Sequence, residues 1–353
     1  MDIMKVTLTA AKKAKPDFSK LGFGKYFTDH MLVMDYKDGA WQEPEIIPYD
    51  AFEMPPSTCV LHYGQGIFEG LKAYKNKEGQ ITLFRPYDNF KRMNNSARRL
   101  CMPELDGDLV VECLKELLRI DAEWIPTEPG TSLYIRPTMI AMDAFLGVHP
   151  AHSYRFFIIL SPVGSYYANG LKPTKIMVEE ELVRAPIGGT GEAKCMGNYA
   201  CSLLAGARAN QKGYDQVLWL DSNEHKYVEE VGSMNMFFVI DGVVKTPALV
   251  GSILPGITRD SVIEVCKKDG IPVEECRISL DEVMAANNEG RLNEAFGSGT
   301  AAVISPVGIL YAHGKDMVIN NNEMGKITSY LYDKITGIQY GRLPDEFGWI
   351  VKV

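Results

Sequence analysis

One segment of the chain, GEAKCMGNYACS at 191–202, combines residue types that could carry out chemistry. Lys194 stands between two glycines, and Tyr199 follows it five residues later. A lysine amine that burial keeps neutral forms an imine with an aldehyde, and a nearby phenol can hydrogen-bond a ligand. A solvated lysine at a helix start is the more common arrangement, so the rest of the sequence must decide between the two interpretations.

Three other motifs could bind a phosphorylated ligand. In SILPGITRDS, a Pro-Gly pair precedes an apolar helical pattern, and the free backbone N–H groups of Ile257 and Thr258 would attract phosphate. FGSGTAAV brings glycines next to Thr300 but matches neither a P-loop nor a dinucleotide-binding motif. VEEVGSMN places Ser233 three residues after the carboxylate of Glu230. Taken singly, each motif also has an ordinary structural explanation.

Predicted helices and strands alternate along the chain, and these elements must position the residues named above. Apolar residues at three- and four-residue spacing predict helices at 88–100, 109–120, 257–268 and 279–287. The last begins with a capping box in which Glu282 reaches back to Ser279. Branched and aromatic runs predict strands at 30–36, 132–141, 154–163, 175–184, 216–221, 226–230 and 235–246, with strands and turns at 57–74. The sequence therefore predicts an α/β (α+β) fold.

A change in composition divides the chain. Glycine, asparagine and proline gather with two tyrosines in GSYYANGLKP at 164–173, as is typical of a connection between domains. The length of 353 residues also favours two domains. We expect a first domain at 1–165, a linker at 166–173 and a second domain at 174–353.

Composition limits the classes of function. Hydrophobic residues make up 46% and charged residues 23%, which is typical of a compact folded protein. The net charge of -8 argues against a nucleic-acid partner. Seven scattered cysteines without a C-x-x-C pair indicate reduced thiols, and no secretory or membrane-spanning segment is recognised, so the predicted compartment is the cytoplasm. No metal site is predicted.

The motifs together resemble the branched-chain amino-acid aminotransferases, which are pyridoxal-phosphate enzymes of fold type IV. The resemblance runs in one order from about residue 23 to the C-terminus. It rests on FTDHM at 27–31, HYGQGIFEGLKAY at 62–74, LFRPYDNFKRM at 83–93, SLYIRP at 132–137, KCMGNYA at 194–200, VEEVGSMN at 228–235, ILPGITRDS at 253–261 and EAFGSGTAAV at 294–303.

The resemblance implies a role for each residue singled out above. Lys194 would hold pyridoxal 5'-phosphate as a Schiff base and then move the substrate's proton, while Tyr199 would hydrogen-bond the cofactor's ring oxygen. Glu230 would keep the pyridine nitrogen protonated, with Glu229 as the alternative if the alignment slips by one residue. The residues implied to hold the phosphate are Arg92, Ser233, Ile257, Thr258 and Thr300.

For the substrate, the resemblance implies an apolar wall around a branched side chain. Its members would be Phe27, Tyr63, Tyr134 and Tyr166, with the Thr300 and Ala301 backbone N–H groups near the substrate carboxylate. Arg136 would bind the distal carboxylate of glutamate. Because size discrimination by an apolar pocket is shallow, we expect leucine, isoleucine and valine all to react, with 2-oxoglutarate as the amino-group acceptor.

The family architecture implies a smaller N-terminal and a larger C-terminal domain with the cofactor between them, and a homodimer in which Tyr63 reaches the partner's pocket. The chain departs from animal members, which carry a redox-active C-x-x-C after the GSGT turn, because Ala302 and Ser305 stand at those places. A D-amino-acid aminotransferase, an aminodeoxychorismate lyase and a non-catalytic cofactor-binding protein remain as alternatives.

Overall fold

The computed structural model describes residues 4–76, 78–164 and 171–353. These residues form two compact units. The first comprises Met1–Ala168, Ala193–Met196 and Ile338–Val353 as far as they are described, and the second comprises Asn169–Glu192 and Gly197–Gly337 likewise. Within the described ranges, no helix is both long enough and apolar enough to cross a bilayer.

The strands and helices, in chain order, have the following bounds. The strands are β1 Lys5–Val6, β2 His30–Lys37, β3 Ala40–Trp41, β4 Glu45–Pro48, β5 Gly66–Phe68, β6 Leu71–Lys75, β7 Ile81–Phe84, β8 Ser132–Ala141, β9 Tyr154–Val163, β10 Thr174–Glu179, β11 Gln216–Leu220, β12 Val228–Val231, β13 Met234–Ile240, β14 Val243–Pro247, β15 Val273–Cys276, β16 Leu292–Gly299, β17 Val303–Ala312, β18 Lys315–Val318 and β19 Ile350–Lys352. The helices are α1 Val60–Tyr63, α2 Pro86–Arg99, α3 Gly107–Ile120, α4 Gly197–Ala200, α5 Leu203–Gln211, α6 Ile257–Lys268, α7 Leu280–Asn288 and α8 Lys326–Gln339.

The first unit is built on a sheet in the order β1-β4-β2-β9-β8-β6-β7-β19, with β3 paired to β2 and β5 paired to β8. Its centre is the antiparallel pair β8 and β9, in register from Ser132 opposite Val163 to Ala141 opposite Tyr154. Helices α2 and α3 contribute their buried apolar faces to the same core. The burial of Phe90, Met93 and Ala97 on one face of α2 explains the spacing seen in the sequence.

The second unit contains a sheet in the order β12-β11-β10-β17-β16-β13-β14-β15, with β18 paired to β17. A further pairing joins β12 to β13, so that six strands form a closed hydrogen-bonded ring. Strand residues such as Val231, Met236, Phe238 and Leu310 are buried in one hydrophobic cluster, which also includes residues of α7. The ring therefore fixes the backbone of β12, which carries the two candidate carboxylates.

Most predicted elements are confirmed. Strands β8 and β9 and helix α6 have the predicted bounds. At the start of α7, the Ser279 hydroxyl accepts a hydrogen bond from the Glu282 backbone N–H, which is one half of a capping box. The predicted contact of the Glu282 side chain with Ser279 is not found among the described residues, and its carboxylate lies 3.8 Å from the Lys245 Nζ instead. The segment at 57–74 also contains α1, a helical turn that ends at Gly64 in the left-handed conformation. A helix of four residues is too short to show a periodic pattern.

The two units differ from the predicted domain boundaries at two places. The C-terminal segment belongs to the first unit because β19 pairs with β7, Ile350 lying opposite Phe84. Residues 193–196 also belong to it because Cys195 bridges to Ile67 on β5. Most of the predicted linker, at 166–170, lies outside the described residues.

Candidate active site

Lys194 occupies an extended segment that is hydrogen-bonded into the first unit. Its backbone carbonyl accepts a bond of 3.1 Å from the Phe68 backbone at the end of β5, and its backbone N–H donates to the Ser96 hydroxyl at 2.8 Å. Its Nζ lies 5.1 Å from the centre of the Phe68 ring. Lys194 is therefore neither in a loose loop nor in a helix, since α4 begins only at Gly197.

The electrostatic surroundings of Lys194 favour a neutral amine. Burial, and then the neighbouring Arg92 guanidinium, lower the pKa of Lys194 to about 8, although Glu69 acts in the opposite direction. The residue as a whole is half-buried, but its amine is influenced by the charges of both Glu69 and Arg92. Lowering the pKa by burial is what a nucleophilic lysine requires.

Arg92 forms a buried ion pair that the sequence did not reveal. Its Nε and Nη2 each donate to the Glu69 carboxylate at 2.8 Å, and Asn89 donates to the same carboxylate at 2.8 Å. Burial raises the pKa of Glu69, but the charges of Arg92 and Lys194 outweigh this and hold the pKa below its ordinary value. The pair fixes the orientation of the guanidinium, so a phosphate would contact the side of the guanidinium that faces away from Glu69.

Tyr134 and Arg136 lie together on β8. The Arg136 Nη2 donates to the Tyr134 hydroxyl at 2.9 Å, and the guanidinium lies 4.5 Å from the centre of the Phe68 ring. The Arg136 Nε is buried and has no hydrogen-bond partner among the described residues. Gly70 is required beside this pair, because a Cβ there would lie 2.2 Å from the Tyr134 hydroxyl oxygen.

The other predicted wall residues are less closely grouped. Phe27 stacks on Tyr49 with ring centres 5.2 Å apart, and Tyr63 is exposed at the end of α1. Tyr166 lies outside the described residues. The first unit therefore brings together Lys194, Arg92, Tyr134 and Arg136 around Phe68 and Glu69, while the positions of Phe27 and Tyr63 in a pocket stay predictions.

In the second unit, Glu230 has several buried polar partners. Its carboxylate forms a buried ion pair with Arg184, and it accepts hydrogen bonds from the Asn235 amide at 3.3 Å and the Leu254 backbone at 3.2 Å. Asn235 also donates to the Leu254 carbonyl at 2.9 Å. These contacts connect β12 to the segment that leads into α6.

Glu229, the alternative carboxylate, has different contacts. Its Oε1 is hydrogen-bonded by the Ser252 hydroxyl, and its Oε2 is buried without a hydrogen-bond partner among the described residues. Burial raises the pKa of Glu229 to about 7 despite the Ser252 bond and the charge of Arg184. A carboxyl group that is half-protonated near neutral pH is a poor permanent anion, so the surroundings favour Glu230 for that role.

The remaining predicted residues of the second unit lie at turns and helix starts. Tyr199 on α4, Glu230 and Ser233 line one small cavity of about 20 Å³. Ser233 lies in the two-residue turn between β12 and β13, and Ile257 and Thr258 are the first two residues of α6. The N-cap of α6, Gly256, has no side chain to occupy the free N–H groups. Thr300 and Ala301 form the turn after β16.

Sequence reasoning did not identify Glu69, Arg184 or Asn235. Each is a polar residue that the structure buries: Glu69 within the apolar run GIFEGLKAY, Asn235 at the start of β13, and Arg184 in the connection after β10. A charge inside a branched and aromatic strand pattern is a signal for a buried ion pair. The partner, however, is 23 positions away for Glu69 and cannot be identified from spacing.

Comparison with known proteins identifies the class. The family model described as "Amino-transferase class IV" matches residues 66–309. The chain therefore belongs to the class IV aminotransferases, whose fold of mixed helices and strands it shares.

More specific relatives carry one name. The chain is 56% identical to "Branched-chain-amino-acid aminotransferase 2" of Bacillus subtilis over 351 residues, which cover 99% of this chain and 97% of that protein. The structure is similar to the Escherichia coli branched-chain amino acid aminotransferase, with a TM-score of 0.75, 28% identity, and coverage of 91% of this chain and 98% of that one. Within class IV, the chain belongs to the branched-chain-amino-acid aminotransferases, as the sequence motifs indicated.

A third comparison concerns a bound ligand. The T.th. branched-chain amino acid aminotransferase was solved with pyridoxamine 5'-phosphate, and this chain matches it with a TM-score of 0.74 and 30% identity over 90% of this chain and 97% of that one. An enzyme of this family transfers an amino group between an amino acid and an oxo acid.

Proposed function

We propose that the chain transfers the amino group of L-leucine, L-isoleucine or L-valine to 2-oxoglutarate, reversibly, using pyridoxal 5'-phosphate held by Lys194. The observation that carries the proposal is the position of the Lys194 Nζ, 5.1 Å from the centre of the Phe68 ring, where burial and then the charge of Arg92 lower the pKa of the amine to about 8. Such an amine is neutral in an appreciable fraction of molecules near neutral pH, and only the neutral form is a nucleophile.

The residues of each unit fit this cofactor by their chemistry. Lys194 suits its aldehyde, and Glu230, ion-paired and hydrogen-bonded as an anion, suits a protonated pyridine nitrogen. A Cβ on Gly256 would lie 1.9 Å from the Asn235 Oδ1, so the start of α6 is closely packed. No side chain caps the first N–H groups of this helix, which an anion site requires. We propose Arg92, Ser233, Ile257, Thr258 and Thr300 as the phosphate ligands and Tyr199 as the partner of the ring oxygen.

The bound cofactor would supply an electrophilic carbon for the substrate amine and a ring that accepts electrons. The Lys194 Nζ would then take the proton from the substrate Cα. A lysine pKa of about 8 suits this role because it lies near the pH at which the enzyme would work. Glu230 would hold negative charge opposite the ring, and Arg184 with Asn235 would keep that carboxylate in place. Glu69 would keep the Arg92 guanidinium oriented.

For substrate binding, we propose Tyr134, Phe27, Tyr63 and Tyr166 as an apolar wall and the Thr300 and Ala301 backbone groups as carboxylate donors. Arg136 would bind the second carboxylate of glutamate through the donors not used by Tyr134, of which the buried Nε is one. We also propose a homodimer, and a cytoplasmic location on the composition of the sequence.

The proposal is tested by trapping the cofactor on the protein. Borohydride reduction of the holoenzyme should attach the cofactor to a peptide containing Lys194, and Lys194→Ala should lower kcat by roughly 10⁴-fold or more. Lys72→Met is the matched control, because burial also lowers the pKa of Lys72 to about 8. Labelling of Lys72, Lys172, Lys175 or Lys212 instead would refute the assignment.

The substrate is tested by the absorption spectrum of the holoenzyme. L-leucine, L-isoleucine and L-valine should each change the absorption band of the bound cofactor, while D-alanine should have little effect. A response to D-alanine without one to L-leucine would indicate a D-amino-acid aminotransferase. No response to any amino acid would indicate a protein that binds the cofactor without turnover.

A further inference from the structure

We propose a zinc-binding site on the connection between β8 and β9, formed by Asp143, His149 and His152. One candidate ligand atom from each of the three side chains lies within 4.8 Å of the other two. None of these three residues is among the predicted cofactor or substrate ligands.

The aspartate is fixed in position by the backbone around it. Its Oδ1 accepts hydrogen bonds from the Ser153 N–H at 2.9 Å and the Ser153 hydroxyl at 2.5 Å, and its Oδ2 accepts one from the His152 N–H at 2.9 Å. These three bonds hold the carboxylate in one orientation. A carboxylate that neighbouring groups already hold in place is a prepared metal ligand.

One histidine is held in the tautomer that a metal requires. The Nδ1 of His149 lies 2.8 Å from the carbonyl oxygen of Pro150. A carbonyl can only accept, so Nδ1 must carry the proton and Nε2 is left with its lone pair. Metal-binding histidines are commonly oriented in this way, by a backbone carbonyl on the nitrogen that does not bind the metal.

The other histidine already lies at a suitable distance from the aspartate. The Nδ1 of His152 is 3.3 Å from Oδ2 of Asp143, and the His149 and His152 ring centres are 5.6 Å apart. In a tetrahedral site with zinc–ligand bonds of about 2.0–2.1 Å, neighbouring ligand atoms are separated by roughly 3.3–3.4 Å. The contact between His152 and Asp143 therefore has the length of one edge of such a site.

The donor set selects the metal. Two imidazoles and one carboxylate suit zinc and similar borderline ions, whereas calcium and magnesium prefer oxygen ligands throughout. Three protein ligands leave a fourth position open, for water or another donor. The ligands stand at both ends of a connection that also carries the exposed side chains of Leu146 and Val148, so a bound ion would fix that segment.

The experiment titrates the tag-free holoenzyme, stripped of metal by a chelator, with Zn²⁺ in a calorimeter. We expect one site per chain, weakened at least about tenfold by His149→Asn and by His152→Asn. His313→Asn is the matched control: His313 is also exposed and lies 3.2 Å from a carboxylate, that of Glu180, without a third ligand among the described residues. Equal weakening in all three variants, or in none, would refute the site.

Two further measurements keep the result interpretable. Thermal unfolding without metal should give the same Tm for the variants and the unchanged protein, and added Zn²⁺ should raise the Tm only where both histidines are present. Co²⁺ bound at the site should show visible d–d absorption without a thiolate charge-transfer band. A thiolate band would mean that the metal binds at cysteines instead, and the proposal would be wrong.

Discussion

Glu229 and Glu230 are adjacent on β12, yet their side chains have different partners. Glu230 is paired with Arg184, whereas Glu229 contacts Ser252 and has one oxygen without a partner among the described residues. We predict that Glu230→Gln lowers kcat by roughly 10²–10³-fold, because the ring nitrogen loses its anion. It should also destabilise the fold by about 3–5 kcal/mol, since Arg184 would be left as an unpaired buried charge. Stopped-flow kinetics with L-leucine and urea unfolding measure the two effects.

The matched variant Glu229→Gln should leave kcat nearly unchanged and alter the pH dependence of stability. Because the pKa of Glu229 is raised to about 7 from an ordinary 4.5, its stabilising contribution is complete below pH 4.5 and is lost as the pH rises through about 7. Glutamine does not ionise, so the variant should have a Tm higher than that of the unchanged protein by at least about 2 °C at pH 8, and a similar Tm at about pH 4.5. A slow Glu229→Gln with a normal Glu230→Gln would place the carboxylate that pairs with the ring nitrogen one residue earlier.

Arg136 tests how the pocket accepts two kinds of side chain. Only glutamate brings a second carboxylate, so Arg136→Met should lower kcat/KM for glutamate at least about tenfold more than for leucine. Arg136→Lys keeps the charge but loses the bond geometry to Tyr134, and it should recover part of the glutamate activity. An equal loss for both substrates would mean that Arg136 only supports Tyr134.

At the residue scale, the family motifs in the sequence identified candidate site residues, but the sequence did not identify the ion pairs that surround them. Lys194 and Glu230 could be proposed because the family motifs contain them. Glu69, which pairs with Arg92, and Arg184, which pairs with Glu230, are single charged residues in strand and loop segments, and their partners are distant in sequence. Long-range pairing of this kind is set by the tertiary fold, which no local pattern encodes.

At the scale of elements, two glycines give opposite predictions. A Cβ on Gly191 would lie 2.0 Å from the Ser252 carbonyl oxygen, and Arg184 donates to the carbonyls of both residues. Gly191→Ala must therefore move the backbone, and it should cost about 1–3 kcal/mol and reduce activity through Arg184. Urea unfolding at equilibrium measures the loss.

Gly206 is the control for that substitution. It lies within α5, and a Cβ there would meet no atom within 4 Å. Gly206→Ala should therefore stabilise the protein by roughly 0.5–1 kcal/mol through helix propensity, with unchanged activity. Destabilisation by both substitutions to the same extent would contradict the close packing of Gly191 on Ser252.

The elements themselves were largely predictable. The apolar runs of β8 and β9 and the periodic face of α6 are local signals, and their bounds agree with the sequence patterns. The isolated β-bridge between Cys195 and Ile67 was not predicted, because the two residues lie in segments that are far apart in the chain. Strand pairing of that kind depends on the order of the sheet, which composition and periodicity do not specify.

At the scale of the whole molecule, the family could be recognised because its motifs recur in one order along nearly the entire chain. The sequence motifs did not predict which stretches of the chain group into each unit. Strand β19 returns to the first unit from the C-terminal end, opposite Phe84 and Leu83. A boundary predicted from sequence assumes that each unit is one continuous stretch of residues, whereas each unit here is made of separate stretches.

The last prediction concerns the proposed homodimer. In the first unit, Leu61 and Tyr63 on α1 and Phe145, Leu146 and Val148 on the β8–β9 connection are all exposed. The two segments are adjacent, since Thr58 bridges to Ala144. An exposed apolar patch of this kind is typical of a protein–protein interface.

We therefore expect Val148→Asp to shift the protein from dimer to monomer in analytical ultracentrifugation, because an interface would have to bury an unpaired charge. The control is Val318→Asp, the same change at an exposed valine on β18 of the second unit, which should stay dimeric. Because Tyr63 is proposed to serve the partner's pocket, the monomer should also have a lower kcat/KM for leucine, while Val318→Asp should not. A dimeric Val148→Asp with full activity would mean that this patch is not the interface, and the role of Tyr63 would have to be given up with it.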